Sequence, residues 1–350
     1  MTANATPERH ESERSDARAR LLEMINANWT TQAISVATQL QLAELLCRGP
    51  RPLQDLAHST SCHPPSLLRL LRALASLGVV EEHDDGRFAL TALGTLLQPD
   101  VPGSLAAWAQ FCGTSSWNGW SQLIESVRSG QSVRKRVRGA DGFDHLQEDG
   151  AAALLFNRAM VSLTASVAAA LVQCVDFSGA ESVVDVGGGF GELLATVLAA
   201  HPPMRGALFD LSHAMEGARA RLAEAGLSER SEAIAGSFFD SVPRGADVYL
   251  LKSILHDWDD ERCAVILGNC RRVMEPRARL LVIERMLPQR VAVSPRDQAI
   301  CRSDLNMLIG TGGCERTQRQ YQAMLRAAGL RPAGLVELTN GYSACEAVPE

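Results

Sequence analysis

The sequence predicts an α/β fold in its C-terminal half: a mostly parallel, Rossmann-like sheet with helices on both faces, preceded by a helical domain with a winged-helix unit. Three observations carry this. After Gly179, short apolar runs alternate with segments of helical periodicity. The first run, ESVVDV, opens directly into the glycines of Asp185–Gly191. Before them, residues 53–90 read as helix, helix, hairpin. With 350 residues, 46% of them hydrophobic and 21% charged, the chain has a globular composition and length for two domains.

Residues 1–16 are polar and charged and read as a disordered tail. From Asp16 the pattern turns helical. Leu22, Ile25, Trp29, Ile34, Ala37, Leu40 and Leu45 share a face up to the stop at Gly49-Pro50. PLQDLAHST and LLRLLRALASLGVV are the two helices of the winged unit, and EEHDDGRFAL is its hairpin, with Asp85-Gly86 as a two-residue turn. A second helical stretch runs from about Gly103 to Val172, broken by the basic segment Ser132–Gly139. Beyond it, five apolar strands (ESVVDV, RGALFDL, SEAIAGSFF, ADVYLLK, ARLLVIERMLP) alternate with helices, and two short strands follow at GLVEL and YSACEAV, giving seven. The expected organisation is a tail over 1–16, an N-terminal domain over 17–102, a helical linker over 103–174 and the sheet domain over 175–350.

A net charge of −6 argues against a general polyanion binder, because nucleic-acid affinity rests on cationic contacts to phosphate. The helix Leu67–Val79 carries Arg69 and Arg72, but its other positions are mostly Leu and Ala, which suits burial better than groove contact. The nine cysteines stand singly, without a C-x-x-C pair, so a zinc cluster has no support. Their odd number and a polar N-terminus without an apolar core segment fit a reducing cytoplasm. No run of about 18 apolar residues stands out, so no membrane span is expected.

The loop between the first strand and its helix is where open α/β sheets bind ligands. Gly187 and Gly189 fit the start of a dinucleotide fingerprint, but Glu192 stands where its last glycine belongs. A carboxylate at that helix start disfavours a pyrophosphate and suits a cationic, phosphate-free nucleoside. Asp210 ends the second strand, where a carboxylate can accept both ribose hydroxyls. S-adenosylmethionine (SAM) matches this set. A bare tight turn and a helix N-cap at Asp210 are the plainer readings.

Taken together, LLRLLRALASLGVV, FALTALGTLLQPDVPGSLAAWAQ, FNRAM, VVDVGGGFGELL, FDLSHAMEGA, LKSILHDWDDERC, VIERMLP and GGCERTQRQYQAMLRAAGL resemble the class I SAM-dependent O-methyltransferases of the plant caffeate and bacterial natural-product type. The resemblance runs from about residue 20 to the C-terminus. It implies a homodimer built on the N-terminal domain and a small-molecule acceptor, with S-adenosylhomocysteine as the other product and no metal. It places Gly187 and Gly189 beside the methionine part of SAM, Asp210 on the ribose, Leu211 and Gly236-Ser237-Phe238 at the adenine, and Lys252 and Ser253 near the sulfonium. Ser237 departs from the family's aspartate, which implies a weaker adenine contact, since a neutral hydrogen bond replaces a charge-assisted one.

The resemblance also makes His256 the general base, oriented by Glu284 and Glu315. The chemistry suits a histidine. A phenol has a pKa near 10, so at neutral pH a positioned base must take its proton as the methyl moves. Asp257 reads as an N-cap of the helix that follows. Phe156 and Met160, four apart on one helix face, are implied to touch the acceptor, with Trp108, Phe111, Asp304 and Met307 as further candidates; core packing is the plainer reading of the apolar ones. The run Arg134–Arg138 reads as a solvated loop or as a site for an anionic acceptor. A softer nucleophile (nitrogen, sulfur or carbon) and a family member with non-methylating chemistry stay open alternatives.

Overall fold

The computed structural model describes residues 7–139 and 142–350, with side chains from Arg14 onward except Asp144. The expected tail lies outside the described residues over 1–6, but from Pro7 the chain is helical. The chain divides into two compact units, residues 1–114 and 115–350.

The first unit opens with α1 (Pro7–Gln39), α2 (Leu42–Leu46), β1 (Arg51–Pro52) and α3 (Leu53–Thr60). The single helix expected up to Gly49 is interrupted at Gln41, whose φ of 54° is left-handed and turns the chain into α2. Then come α4 (Pro64–Ser76), β2 (Val80–Glu82), β3 (Arg87–Leu90), α5 (Ala92–Thr95) and α6 (Ala106–Gly113). Leu67, Leu71 and Leu74 recur at helical spacing on α4 and join Leu42, Leu46, Leu56 and Phe88 in the core. The strands pair antiparallel in the order β1-β3-β2. The hairpin turn is one residue longer than expected: His83 N–H donates to Arg87 O at 2.8 Å, leaving Asp84, Asp85 and a left-handed Gly86 as the loop. Exposed Arg72 pairs with Glu82 at 3.0 Å. On α1, Leu21, Leu22, Met24, Ile25 and Trp29 are exposed.

The second unit begins with α7 (Ser115–Trp120), α8 (Leu123–Ser129), α9 (Val133–Arg138) and α10 (Gly150–Cys174). The basic run is thus a helical turn, not a loop; Ser132 caps it by accepting Lys135 N–H at 3.0 Å, and Gly139 ends it left-handed. The expected linker does not stand apart from the sheet. Val167, Ala168 and Leu171 of α10 lie in the same core as the sheet residues Val183, Leu250 and Ile283. By length and composition α10 could cross a membrane, contrary to the expectation from sequence, yet its buried face completes this core and Arg158 sits on its exposed side.

The sheet unit continues with β4 (Ser182–Val186), α11 (Glu192–Ala200), β5 (Arg205–Asp210), α12 (Met215–Glu224), β6 (Ser231–Ala235), β7 (Val248–Lys252), α13 (Asp260–Val273) and β8 (Arg279–Leu287). It closes with α14 (Pro295–Gly310), β9 (Arg316–Thr317), α15 (Gln318–Ala327), β10 (Leu330–Glu337) and β11 (Tyr342–Pro349). The order is β10-β11-β8-β7-β4-β5-β6. From β8 to β6 neighbouring strands are parallel, and β10 and β11 pair antiparallel at one edge. These are the seven strands expected, and two-residue β9 adds an eighth beside the end of β8. Helix α14 is marked in sequence by Ser294-Pro295: the serine accepts Asp297 N–H at 3.1 Å and the proline sits where no donor is needed.

Strand order reverses between β4 and β7, because the chain runs outward through β5 and β6 and returns on the other side of β4. The loops after β4 and β7 therefore diverge, and they carry the glycines and His256.

Candidate active site

The glycine turn lies at the end of β4. Gly187 has a φ of 74°, and a Cβ there would stand 2.3 Å from Ile254 Cδ1, so only glycine fits. Gly187 N–H donates to Phe209 O at 2.7 Å and Gly189 N–H to Asp210 Oδ2 at 2.7 Å, which draws the turn onto the end of β5. Asp210 Oδ1 accepts Leu211 N–H at 2.6 Å. Burial is the main cause that holds the Asp210 carboxyl above the usual range. Asp185 lies beneath the turn, 1% exposed, and its Oδ2 has no hydrogen-bond partner among the described residues. Burial, then the charge of Asp210, pushes it to about 7. A buried and a half-buried carboxylate at a glycine turn favour a cationic ligand with hydroxyls and disfavour a polyphosphate, which fits SAM.

The other cofactor candidates have engaged side chains. Ser237 Oγ accepts Phe239 N–H at 3.2 Å, a local turn bond. Gly236 is packed so that a Cβ would meet the Phe209 ring at 2.4 Å. Phe238 packs edge-on to Trp258 at 6.1 Å. Lys252 Nζ donates to Thr164 Oγ1 at 3.0 Å and stands over the Tyr342 ring. Ser253, left-handed at φ 56°, has its Oγ 3.0 Å from Tyr342 Oη.

His256 lies in the single turn Leu255–Asp257 after β7, and is 6% exposed. Its Nδ1 is 3.2 Å from Glu315 Oε1 and 3.4 Å from Glu284 Oε2, so both acids face one ring nitrogen. Glu284 Oε1 accepts the N–H groups of Ile254, Leu255 and His256 at 3.0, 2.9 and 3.3 Å. Ser303 Oγ donates to Glu315 Oε1 at 2.6 Å. Burial alone would lower the imidazole pKa, but the charges of Glu284, Glu315 and Asp257 and the bond to Glu315 hold it well above 6.5. Burial keeps Glu284 above the usual carboxylate range against the pull of His256, while His256 and Ser303 draw Glu315 below it despite burial.

Asp257 is not the N-cap expected from sequence. Asp259 caps α13, accepting Arg262 N–H at 2.8 Å, and Asp257 Oδ1 stands 3.8 Å from His256 Nε2. The cap of α15 is Thr317 in a capping box with Gln320, which leaves Glu315 to the histidine. By spacing alone, His256, Glu284 and Glu315 could also hold a metal ion, their ligand atoms lying within 4.8 Å of one another.

Around this turn, Phe143 is 5.4 Å from Phe156 and 6.1 Å from Trp258 between ring centroids. Arg134 stands over Phe143 at 5.1 Å and donates to Gly142 O at 3.0 Å; its charge also draws down the Asp257 carboxyl, which burial raises. Met160 and Phe156 lie on α10, partly buried. Met307 is buried on α14, where Asp304 Oδ1 accepts Glu315 N–H at 2.8 Å and so acts on the second acid. Trp108 and Phe111 lie on α6 of the first unit, stacked on each other at 5.7 Å. Nothing in the sequence pattern singles out Ser303 or Arg316; their partners are distant in the chain except at one end.

Residues 120–331 match the O-methyltransferase domain family and residues 22–100 the O-methyltransferase dimerisation domain. The chain is 40% identical over 335 residues to mitomycin biosynthesis 6-O-methyltransferase of Streptomyces lavendulae, covering 95% of this chain and 94% of that one. It is 37% identical over 331 residues to phenazine O-methyltransferase PhzM of Lysobacter antibioticus, covering 94% and 95%. The crystal structure of LaPhzM superposes with a TM-score of 0.91 at 36% identity, covering 95% of this chain and 99% of that one. Aclacinomycin 10-hydroxylase RdmB of Streptomyces purpurascens is 35% identical over 326 residues, covering 92% and 86%. NcsB1, solved with SAM and 2-hydroxy-5-methyl naphthoic acid, superposes with a TM-score of 0.76 at 30% identity, covering 92% and 96%. With both of its domains matched and a mostly parallel sheet in the second unit, the chain belongs to the SAM-dependent O-methyltransferase family.

Proposed function

We propose that this enzyme methylates a phenolic or enolic hydroxyl of a small aromatic, polyketide- or peptide-derived natural product, with His256 as general base. The observation that supports this most is the imidazole whose Nδ1 faces both Glu284 and Glu315. That arrangement commits Nδ1 to the acids and leaves Nε2 to take a proton. SAM, when bound, supplies an electrophilic methyl on a sulfonium. Asp210 holds its ribose, Gly187 and Gly189 give the backbone close approach, and Leu211, Gly236, Ser237 and Phe238 border the adenine. Lys252 and Ser253 flank the sulfonium end. The buried Asp185 adds negative potential under the glycine turn.

As the acceptor oxygen attacks, its proton passes to His256 Nε2, and the carboxylates stabilise the imidazolium that forms. A base of this kind contributes about 10²–10⁴-fold. The apolar walls of Phe156, Met160 and Met307 suit a flat acceptor, and Asp304 is a further proposed contact. No metal takes part in this reading. The apolar stripe Leu21–Trp29 on α1 supports a homodimer, and the net charge of −6 and the face of α10 that packs into the sheet core support a reading without nucleic-acid or membrane partners. A cytoplasmic location is the corresponding expectation.

The test is incubation with methyl-labelled SAM and an extract of the producing cells, His256→Ala in parallel, with products followed by mass. A product that gains one methyl and falls at least about 100-fold in the variant is expected. Equal labelling by both enzymes refutes the base. An altered compound without label moves the reaction toward that of the hydroxylase relative.

A further inference from the structure

We infer that Arg316 is a positioning residue for His256, fixing the base through the backbone of its turn; this rests on the proposed role of His256. The turn Leu255–Asp257 is one helical turn, which alone has few bonds to fix it. Its N–H end is gathered by a buried anion: Glu284 Oε1 accepts three successive N–H groups. Its C=O end meets a buried cation. Arg316, 2% exposed, donates from Nη1 to Leu255 O at 2.9 Å and from Nη2 to Trp258 O at 2.7 Å. The turn is thus held between opposite charges placed as its dipole requires.

The same guanidinium ties this turn to the second acid. Nη1 also donates to Cys314 O at 3.3 Å, the residue before Glu315. Nε and Nη2 both donate to Asp260 Oδ1, at 3.0 and 2.7 Å, at the start of α13. One planar fork therefore spans the base turn, the segment bearing Glu315 and the helix that follows. Lysine cannot reproduce this, because an ammonium has no fixed fork. The packing leaves little slack: a Cβ on Gly313 would stand 2.1 Å from His256 O. Breaking the fork lets the turn shift, and a displacement of about 1 Å at a reacting group can cost about 100-fold.

The test compares Arg316→Gln, Arg316→Lys and Asp260→Asn in the full enzyme, using methyl-labelled SAM and the extract fraction that accepts label. Asp260 has a side chain 81% exposed, so Asp260→Asn keeps the test open where an Arg316 variant does not fold. The expected result is a 10- to 100-fold fall in kcat for Arg316→Gln, about the order of a misplaced reacting group, an unchanged SAM Kd, and faster hydrogen exchange at Leu255–Trp258. Arg316→Lys recovers little of the loss. In a His256→Ala background, Arg316→Gln costs nothing further, because the residue it positions is gone. An unchanged kcat in a folded Arg316→Gln enzyme overturns the inference while the base stands. So does an equal fold-loss in both backgrounds. A His256→Ala enzyme as fast as the parent overturns the base reading itself.

Discussion

Replacing Glu315 by glutamine removes one negative charge from the His256 ring while keeping the side-chain shape and an acceptor for Ser303. Glu315 Oε1 is 3.2 Å from His256 Nδ1. At an effective dielectric of about 20, unit charges at that distance interact by about 5 kcal/mol. Glu284 remains 3.4 Å away and takes up part of the loss, so the His256 pKa is expected to fall part of the way back toward its ordinary value. The assay is an NMR titration of the imidazoles, with His256 assigned through His256→Ala; it needs no acceptor. The parent should titrate well above 6.5 and the variant nearer to it. In the parent the raised pKa contributes stability that is full below about 6.5 and lost as pH rises through the folded value. The stability gap between parent and Glu315→Gln should therefore be widest near or below neutrality, and narrow as pH rises. As proposed general base His256 works from the neutral ring, so the rate should rise with pH; in the variant that limb should move to lower pH and its plateau fall about 10-fold or more. An unchanged His256 pKa in Glu315→Gln would refute the electrostatic account of the site.

Asp210→Ala removes the acceptor of the Gly189 and Leu211 N–H groups and the proposed ribose ligand, and SAM affinity should fall about 10²–10⁴-fold by calorimetry, two charge-assisted bonds being worth about 1.5–3 kcal/mol each. An unchanged Kd counts against the ribose role. Gly313→Ala forces a methyl against the His256 carbonyl and the Asp257 backbone; activity should drop steeply, and a full-rate, fully stable variant would show that this contact is not close.

The fold class was legible because each sheet element carries its own local signal. The glycine turn is forced by positive φ and tight packing, and the alternation of apolar strands with helices leaves few other arrangements. His256, Glu284 and Glu315 were legible as residue types in a family pattern, not as a cluster: 28 and 59 residues of chain separate the acids from the histidine, and only sheet register and the α14–β9 connection bring them to one nitrogen. The extent of the domains misled for a related reason. A helix such as α10 shows from sequence that it has an apolar face but not which core that face completes.

By itself, then, the sequence determined most strands and helices of the sheet domain, the ligand end of the sheet and the kind of side chain available for the chemistry. These follow from backbone sterics and hydrophobic period, which act over a few residues. The tertiary structure decided which nitrogen of His256 the acids hold, that Asp257 faces the other while Asp259 caps the helix, and that Arg316 grips the turn from its carbonyl side. Those are hydrogen bonds and charge interactions between distant parts of the chain. Their strength depends on angstrom distances and on burial, and both exist only once the core has closed.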